Sequence, residues 1–321
     1  MKSIPVTLVT GFLGAGKTTL LNHILTSDSG LRFAIIENEF GDVGVDGTML
    51  SAPLDAIFDL NDGCVCCTVR EDLVEIFEQL LTRSGEFDHV IIETTGLAEP
   101  GPVLRIFERA VLREAFQLDG VVTVVDAGHI EESIQEVSTC EEQISYADLI
   151  ILNKTDSLPL PALESVETHL RRLNPLAVLI RAEHARVDIK ALLALGGRPP
   201  EDSVLPHHSH VPDTHQHDDG IRSVFVEADG DVDVAVLDLW LGRLVRQRDT
   251  ALLRMKGILA VPGDPRRFVF NGVRSVIDVR PDRNWDQEPR YSRIVFIGRG
   301  LDEERLRTGF KACMAEPVTP N

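Results

Sequence analysis

Basic residues are scarce in this chain: 32 lysines and arginines stand against 51 aspartates and glutamates, for a formal net charge of -19. A surface of that sign repels phosphodiester backbones and anionic lipid, so neither nucleic acid nor a membrane is expected as a partner. A polyanion is expected only where it is locally shielded, as a bound nucleotide is. Cysteine is scarce too, at five in 321 residues. An odd number, with three packed together, makes no disulfide framework and suits reduced thiols or a metal site. A long apolar run is missing. The amino-terminal one is interrupted by glycines and then Lys17, so neither a signal peptide nor a membrane span is expected, and the cytoplasm is the expected compartment. No internal repeat is present. The length suits one large and one small domain.

What is present begins with Gly11-Phe12-Leu13-Gly14-Ala15-Gly16-Lys17-Thr18-Thr19, directly after the apolar run 6–9. The spacing G-x4-G-K-[ST] lets the backbone curl around a β-phosphate with its N–H groups pointing inward at the positive end of the next helix. Lys17 then spans the β and γ phosphates and Thr18 offers its hydroxyl to Mg(II). An ordinary Gly-rich turn is the alternative, but the strand before and the helical run 19–25 after meet the context the motif requires.

Further short apolar runs at 33–36, 57–60, 90–92, 121–125, 149–152 and 177–180 alternate with helical patterns such as Leu73, Ile76, Phe77, Leu80 and Leu81. That alternation predicts an α/β fold: a doubly wound, mostly parallel sheet with its site at the carboxyl ends of the strands. The stretch from Gly196 to Pro200 closes this domain, so residues 1–198 are read as the nucleotide-binding domain and 199–220 as a polar, His-rich linker. Residues 221–321 read as a small α+β domain, with a strand near 224–226, a helix carrying Val234, Leu237, Leu241, Leu244 and Val245, three strand-like runs (258–261, 268–279, 294–297) and a final helix.

Four local signals carry chemistry. Glu93, at the tip of the strand before Thr94-Thr95-Gly96, is placed where a phosphate-loop enzyme holds Mg(II) or its waters, and Gly96 where backbone can approach a γ-phosphate; a solvated strand-end acid is the plain alternative. Asn153-Lys154-Thr155-Asp156 follows another buried run. Its Asp can accept from guanine N1–H and the exocyclic amine while the Asn supports the O6 and N7 side, so GTP is favoured over ATP. Cys64-Val65-Cys66-Cys67 offers three thiols to a borderline cation such as Zn(II), with Glu37, Asp42 or a water as the fourth ligand. Buried small thiols and a redox pair stay open. His207, His208, His210, His215 and His217, among Asp213, Asp218 and Asp219, read as a weak auxiliary metal site or as solvated linker.

Together with Glu37-Asn38-Glu39-Phe40-Gly41, Arg254-Met255-Lys256-Gly257 and Phe270-Asn271-Gly272-Val273, these motifs resemble the CobW-type P-loop GTPases, in their YjiA-like branch, over nearly the whole chain. The resemblance implies delivery of Zn(II) or Co(II) to a client metalloprotein at the expense of slow GTP hydrolysis. On this reading Lys17 and Glu93 serve catalysis, and Thr18, Glu39 and Glu93 hold Mg(II). Glu37 and Glu39 lie on a segment that responds to the nucleotide and moves the cysteine ligands. No glutamine stands in an evident water-positioning place, which agrees with slow turnover. A non-enzymatic, nucleotide-responsive zinc buffer and an ATP-dependent kinase are the competing expectations.

Overall fold

The computed structural model describes residues 3–37, 57–59, 68–193, 195, 220–246 and 251–315. The chain divides into two compact units, Met1–Leu170 with Ala177–Arg198, and Pro199–Asn321 with Arg171–Leu176.

In the first unit strands and helices alternate: β1 (Ile4–Thr10), α1 (Lys17–Thr26), β2 (Phe33–Glu37), β3 (Ile57–Asp59), α2 (Thr68–Thr82) and β4 (His89–Glu93), then α3 (Pro100–Leu104) and α4 (Ala110–Ala115). They continue with β5 (Phe116–Asp126), α5 (Ile130–Glu136), α6 (Ser138–Tyr146), β6 (Leu149–Asn153), α7 (Leu160–Leu173), β7 (Val178–Arg181) and α8 (Ile189–Leu192). All seven expected strands are present and pair in parallel, in the order β3-β2-β4-β1-β5-β6-β7. Every residue of β6, Leu-Ile-Ile-Leu-Asn, is buried, as a continuous apolar run is when helices cover both faces of a parallel sheet. Leu20, Leu21 and Ile24 of α1 are fully buried against Val9, Ile35, Ile91, Val122 and Val124. At ~1.5–3 kcal/mol for each such side chain, that contact contributes roughly 5–9 kcal/mol before the entropy of ordering is subtracted. The helix after the phosphate loop is therefore anchored on the sheet independently of any ligand.

The second unit is antiparallel. Its strands β8 (Ile221–Asp229), β9 (Ala251–Ala260), β10 (Arg266–Val273), β11 (Val276–Asn284) and β12 (Tyr291–Arg299) lie in the order β11-β10-β9-β12-β8. Two helices, α9 (Val234–Val245) and α10 (Glu303–Lys311), start at Asp233 and Asp302, whose carboxylates accept from backbone N–H groups of the first turn, the usual cure for orphan helix donors. Leu237, Leu241, Leu244, Leu306 and Phe310 from these helices join Met255, Phe270 and Phe296 in one core. One expectation is corrected here: the run 268–279 is not a single strand but part of the β10–β11 hairpin, in which Val273 pairs with Val276 across the turn residues Arg274 and Ser275. Gly257 of the Arg-Met-Lys-Gly motif lies in β9, where a Cβ would overlap the Arg293 carbonyl oxygen of β12.

Candidate functional site

The phosphate loop leaves the carboxyl end of β1, the central strand. Two of its glycines are required by geometry. Gly11, at φ 141°, lies so close to β5 that a Cβ would overlap the Val124 carbonyl oxygen; Gly16, at φ 111°, would place a Cβ 2.5 Å from the Asn153 amide nitrogen. Gly16 is also the N-cap of α1, supplies no capping side chain, and no acid stands in the first turn. The amino-terminal N–H groups and the positive end of the dipole are thereby left for an anion. Lys17 is buried, and its ammonium donates to the Gly11 carbonyl at 2.9 Å and the Phe12 carbonyl at 3.3 Å. The ammonium is thus folded back over the loop. Ala15 is buried, Gly14 and Thr19 are exposed, and Thr18 is half-buried. The Thr18 hydroxyl has no hydrogen bond among the described residues.

On one side of β1 the strand ends carry acids. Val9 stands beside Glu93 of β4, Glu93 beside Glu37 of β2, and Glu37 beside Asp59 of β3, so three acidic positions form one row across adjacent strands. Glu93 is half-buried. The turn after it lies on the phosphate loop: Thr94 donates to the Thr10 hydroxyl at 2.8 Å, and a Cβ on Gly96 would come within 2.6 Å of the Leu13 backbone nitrogen. The Thr95 hydroxyl oxygen is buried with no hydrogen-bond partner among the described residues, a polar atom available to a ligand. Glu39, Asp42, Cys64, Cys66, Cys67 and the histidines 207–217 lie outside the described residues. Among the described residues no cluster of three or more His, Cys, Asp or Glu is arranged to hold a metal ion.

On the other side, beyond β5, the motif Asn153–Asp156 follows β6. Asn153 is buried; its amide donates to the Ala15 carbonyl at 2.9 Å and its carbonyl accepts from the Ala185 N–H at 2.8 Å. It braces two loops, leaving one amide proton and one lone pair. Lys154 takes a left-handed backbone (φ 59°) and its ammonium pairs with Asp126 at 2.7 Å. Asp156 projects into solvent with no hydrogen bond or ion pair among the described residues, which leaves both oxygens to accept. Two features escaped the sequence reading. Asp126 ends β5, and although burial pushes its carboxyl up, hydrogen bonds from Lys154, the Gly128 N–H and His129 prevail and hold it below its ordinary value. The segment 182–186 turns through His184 (φ 52°) and Ala185 (φ 53°), two consecutive non-glycine residues in a strained conformation that is retained because Thr155 donates to Ala182 and Asn153 accepts from Ala185. It is tied to Thr155, the residue before Asp156 in the chain.

Comparison with known proteins agrees with this arrangement. Residues 5–181 match the family described as CobW/HypB/UreG, nucleotide-binding domain, and residues 221–314 match the Cobalamin synthesis protein cobW C-terminal domain. The chain is 37% identical over 318 residues to the zinc chaperone YjiA of Escherichia coli, covering 97% of this chain and 98% of that protein. It is 32% identical over 344 residues to the zinc-regulated GTPase metalloprotein activator 1 of Schizosaccharomyces pombe, covering 93% and 83%. The crystal structure of the Zn(II)-bound YjiA GTPase from E. coli superimposes with a TM-score of 0.75 at 34% identity, over 98% of this chain and all (100%) of that one. A Zn(II)-bound triple mutant of YjiA, with one glutamate and two cysteines replaced by alanine, gives 0.76. The chain belongs to the CobW/HypB/UreG family of nucleotide-binding domains, here followed by a cobW-type carboxyl-terminal domain.

Proposed function

We propose that this protein is a GTP-hydrolysing metallochaperone that takes up Zn(II), or Co(II), through Cys64, Cys66 and Cys67 with Glu37 or Asp42 as a further ligand, and hands it to a client metalloprotein. The observation that carries this reading is the acidic row. Asp59, Glu37 and Glu93 are register neighbours at the strand ends beside the phosphate loop, and the cysteines follow Asp59 by five to eight residues in the chain. The phosphate loop and the segment that carries the cysteines thus follow two strands of one sheet, β1 and β3. The names of the relatives, zinc chaperone and zinc-regulated GTPase, support the same reading.

In hydrolysis the loop N–H groups and Lys17 hold the phosphates, and Asp156 selects guanine by accepting from its N1–H and amine. The site fits Mg(II): the Thr18 hydroxyl and the strand-end Glu93 are oxygen donors beside the loop, and the buried Thr95 hydroxyl has no partner among the described residues. Bound there, Mg(II) would neutralise charge on the phosphate oxygens. Glu93 arranges water or metal, Glu39 belongs to the same ligand set, and turnover is slow. Metal uptake and nucleotide state are linked through the segment between Glu37 and Glu93, and linkage requires that Zn(II) and GTP strengthen each other by the same factor.

A competition titration of Zn(II) in the GTP-analogue and GDP states, with turnover measured with and without Zn(II), tests this. Tighter Zn(II) with the analogue is expected; equal affinity in both states refutes the coupling, and turnover indifferent to Zn(II) leaves only a nucleotide-responsive buffer. Cys66→Ala is expected to weaken Zn(II) and spare nucleotide, and Lys17→Ala the reverse.

A further inference from the structure

The turn after Glu93 is held from behind by a residue 45 to 47 positions further along the chain. Gln143 on α6 is 1% exposed, and its amide nitrogen donates to the Gly96 carbonyl and to the Ala98 carbonyl, each at 3.1 Å. Because both partners are carbonyls, the nitrogen assignment is unambiguous. The backbone carbonyl of Gln143 in turn accepts from the Thr123 hydroxyl at 2.7 Å. Thr123 is the register neighbour of Thr10, whose hydroxyl accepts from Thr94. Hydrogen bonds and strand register thus close a circuit from the turn through β1, β5 and α6 back to the turn, around the root of the phosphate loop. Gln143 lies on a cleft of about 270 Å³ that also exposes Phe12, Leu13 and Gly14 of the loop. Among the described residues its side chain makes no hydrogen bond to the loop itself.

We propose that Gln143 is a positioning residue: by clamping both carbonyls of the 96–98 turn to α6, it sets where Glu93 and Thr95 stand over the phosphates, so the hydrolytic step depends on it while nucleotide binding does not. This rests on the GTPase reading above. The geometry supports a split between the two steps. The groups that grip a diphosphate, namely the loop N–H groups, Lys17 and the anchored start of α1, are held by β1 and the core and need nothing from the turn. The turn reaches the loop at Leu13, next to where the γ-phosphate lies. Releasing the clamp leaves the cradle in place and lets the acid and hydroxyl wander by fractions of an ångström, which costs rate before it costs affinity.

Gln143→Met keeps the volume and removes both donors; Gln143→Glu replaces them with a carboxylate that faces two carbonyls. For Gln143→Met the expected result is a fall of about tenfold or more in kcat, with KM for GTP and the Kd for fluorescent GDP each within about threefold of the parent. Amide exchange at Leu97 and Ala98 is expected to be about tenfold faster than in the parent, with the exchange of β1 unchanged. Gln143→Glu is expected to lose more, and Gln143→Met keeps the test open if the charged variant fails to fold. Parent-like kcat in Gln143→Met overturns the proposal, and so does a loss of GDP affinity equal to the loss of rate. A lowered Tm with unchanged kcat would show a purely structural role and overturns it too. If the parent itself fails to hydrolyse GTP, the GTPase reading falls, while unchanged exchange at Leu97 and Ala98 in the variant would still reject the clamp.

Discussion

Replacing Asn153 by alanine separates two ways in which the Asn-Lys-Thr-Asp motif can act. The side chain joins the Ala15 carbonyl in the phosphate loop to the Ala185 N–H in the strained segment beside the base site, and all three residues are almost fully buried. Alanine leaves a buried acceptor and a buried donor unsatisfied, at ~1–3 kcal/mol each. Water entering the space vacated by the amide recovers part of this, so a net loss of about 2–3 kcal/mol is expected. Since the loop must hold this shape to grip phosphate, the loss should appear as nucleotide affinity about 30- to 150-fold weaker. Crucially, GDP and a ribose triphosphate that lacks a base should lose about the same factor, because the brace acts on the cradle. Asp156→Ala should weaken GDP and leave the base-free ligand untouched. Competition against a fluorescent GDP measures all four numbers. If Asn153→Ala weakens only the ligand with a base, the side chain reads guanine and the bracing account is wrong; if it weakens neither, the two hydrogen bonds contribute nothing.

Two further outcomes follow from single residues. His89 is buried beside the Thr7 hydroxyl at 2.8 Å, and burial drops its pKa from 6.5 to about 4. A base whose folded pKa is depressed is neutral in the fold and takes up its proton on unfolding. Its contribution is therefore fully present above pH 6.5 and is lost as the pH falls toward 4, about 2 kcal/mol between roughly pH 7.5 and 5. Asp88, held near 2 by Arg32, titrates below that window. From pH 5 to 7.5 the exchange protection of the β4 amides, taken relative to intrinsic rates, should rise less steeply in His89→Gln than in the parent; parallel pH dependence would reject the assignment. In the phosphate loop, Gly16→Ala meets both a positive φ and the Asn153 amide, whereas Gly14→Ala at φ 71° meets open space. The first should weaken GDP binding by more than about tenfold and the second by clearly less, and equal effects would mean that backbone strain alone governs the loop.

Much of the architecture can be read from local pattern. Each parallel strand is a short apolar run closed by polar or glycine-rich sequence, because a strand covered on both faces has no use for alternation. The Arg274-Ser275 turn was not legible: it carries none of the glycine, asparagine or aspartate that usually marks a positive φ, so two strands read as one. Lys17 opens α1 and Asp156 lies in the turn after β6, both after a strand as the pattern of their motifs expects, since a motif in consecutive residues survives translation into space. Asn153 also has partners its motif does not announce, because only the fold makes Ala15 and Ala185 its neighbours. Asp126, Gln143 and the segment 182–186 gave no signal for the same reason. They reach the site through the strand order β4-β1-β5-β6-β7, which no periodicity encodes.

That order has a consequence for how the molecule is changed by design or by chance. The strand feeding the phosphate loop is a watershed: Glu93, Glu37 and Asp59 end strands on one flank, and the Asn153–Asp156 motif follows a strand on the other. Exchanging a metal preference should require edits on the first slope only, and altering which purine is accepted should require edits on the second. A variant that shifts both from one slope would mean that the divide leaks.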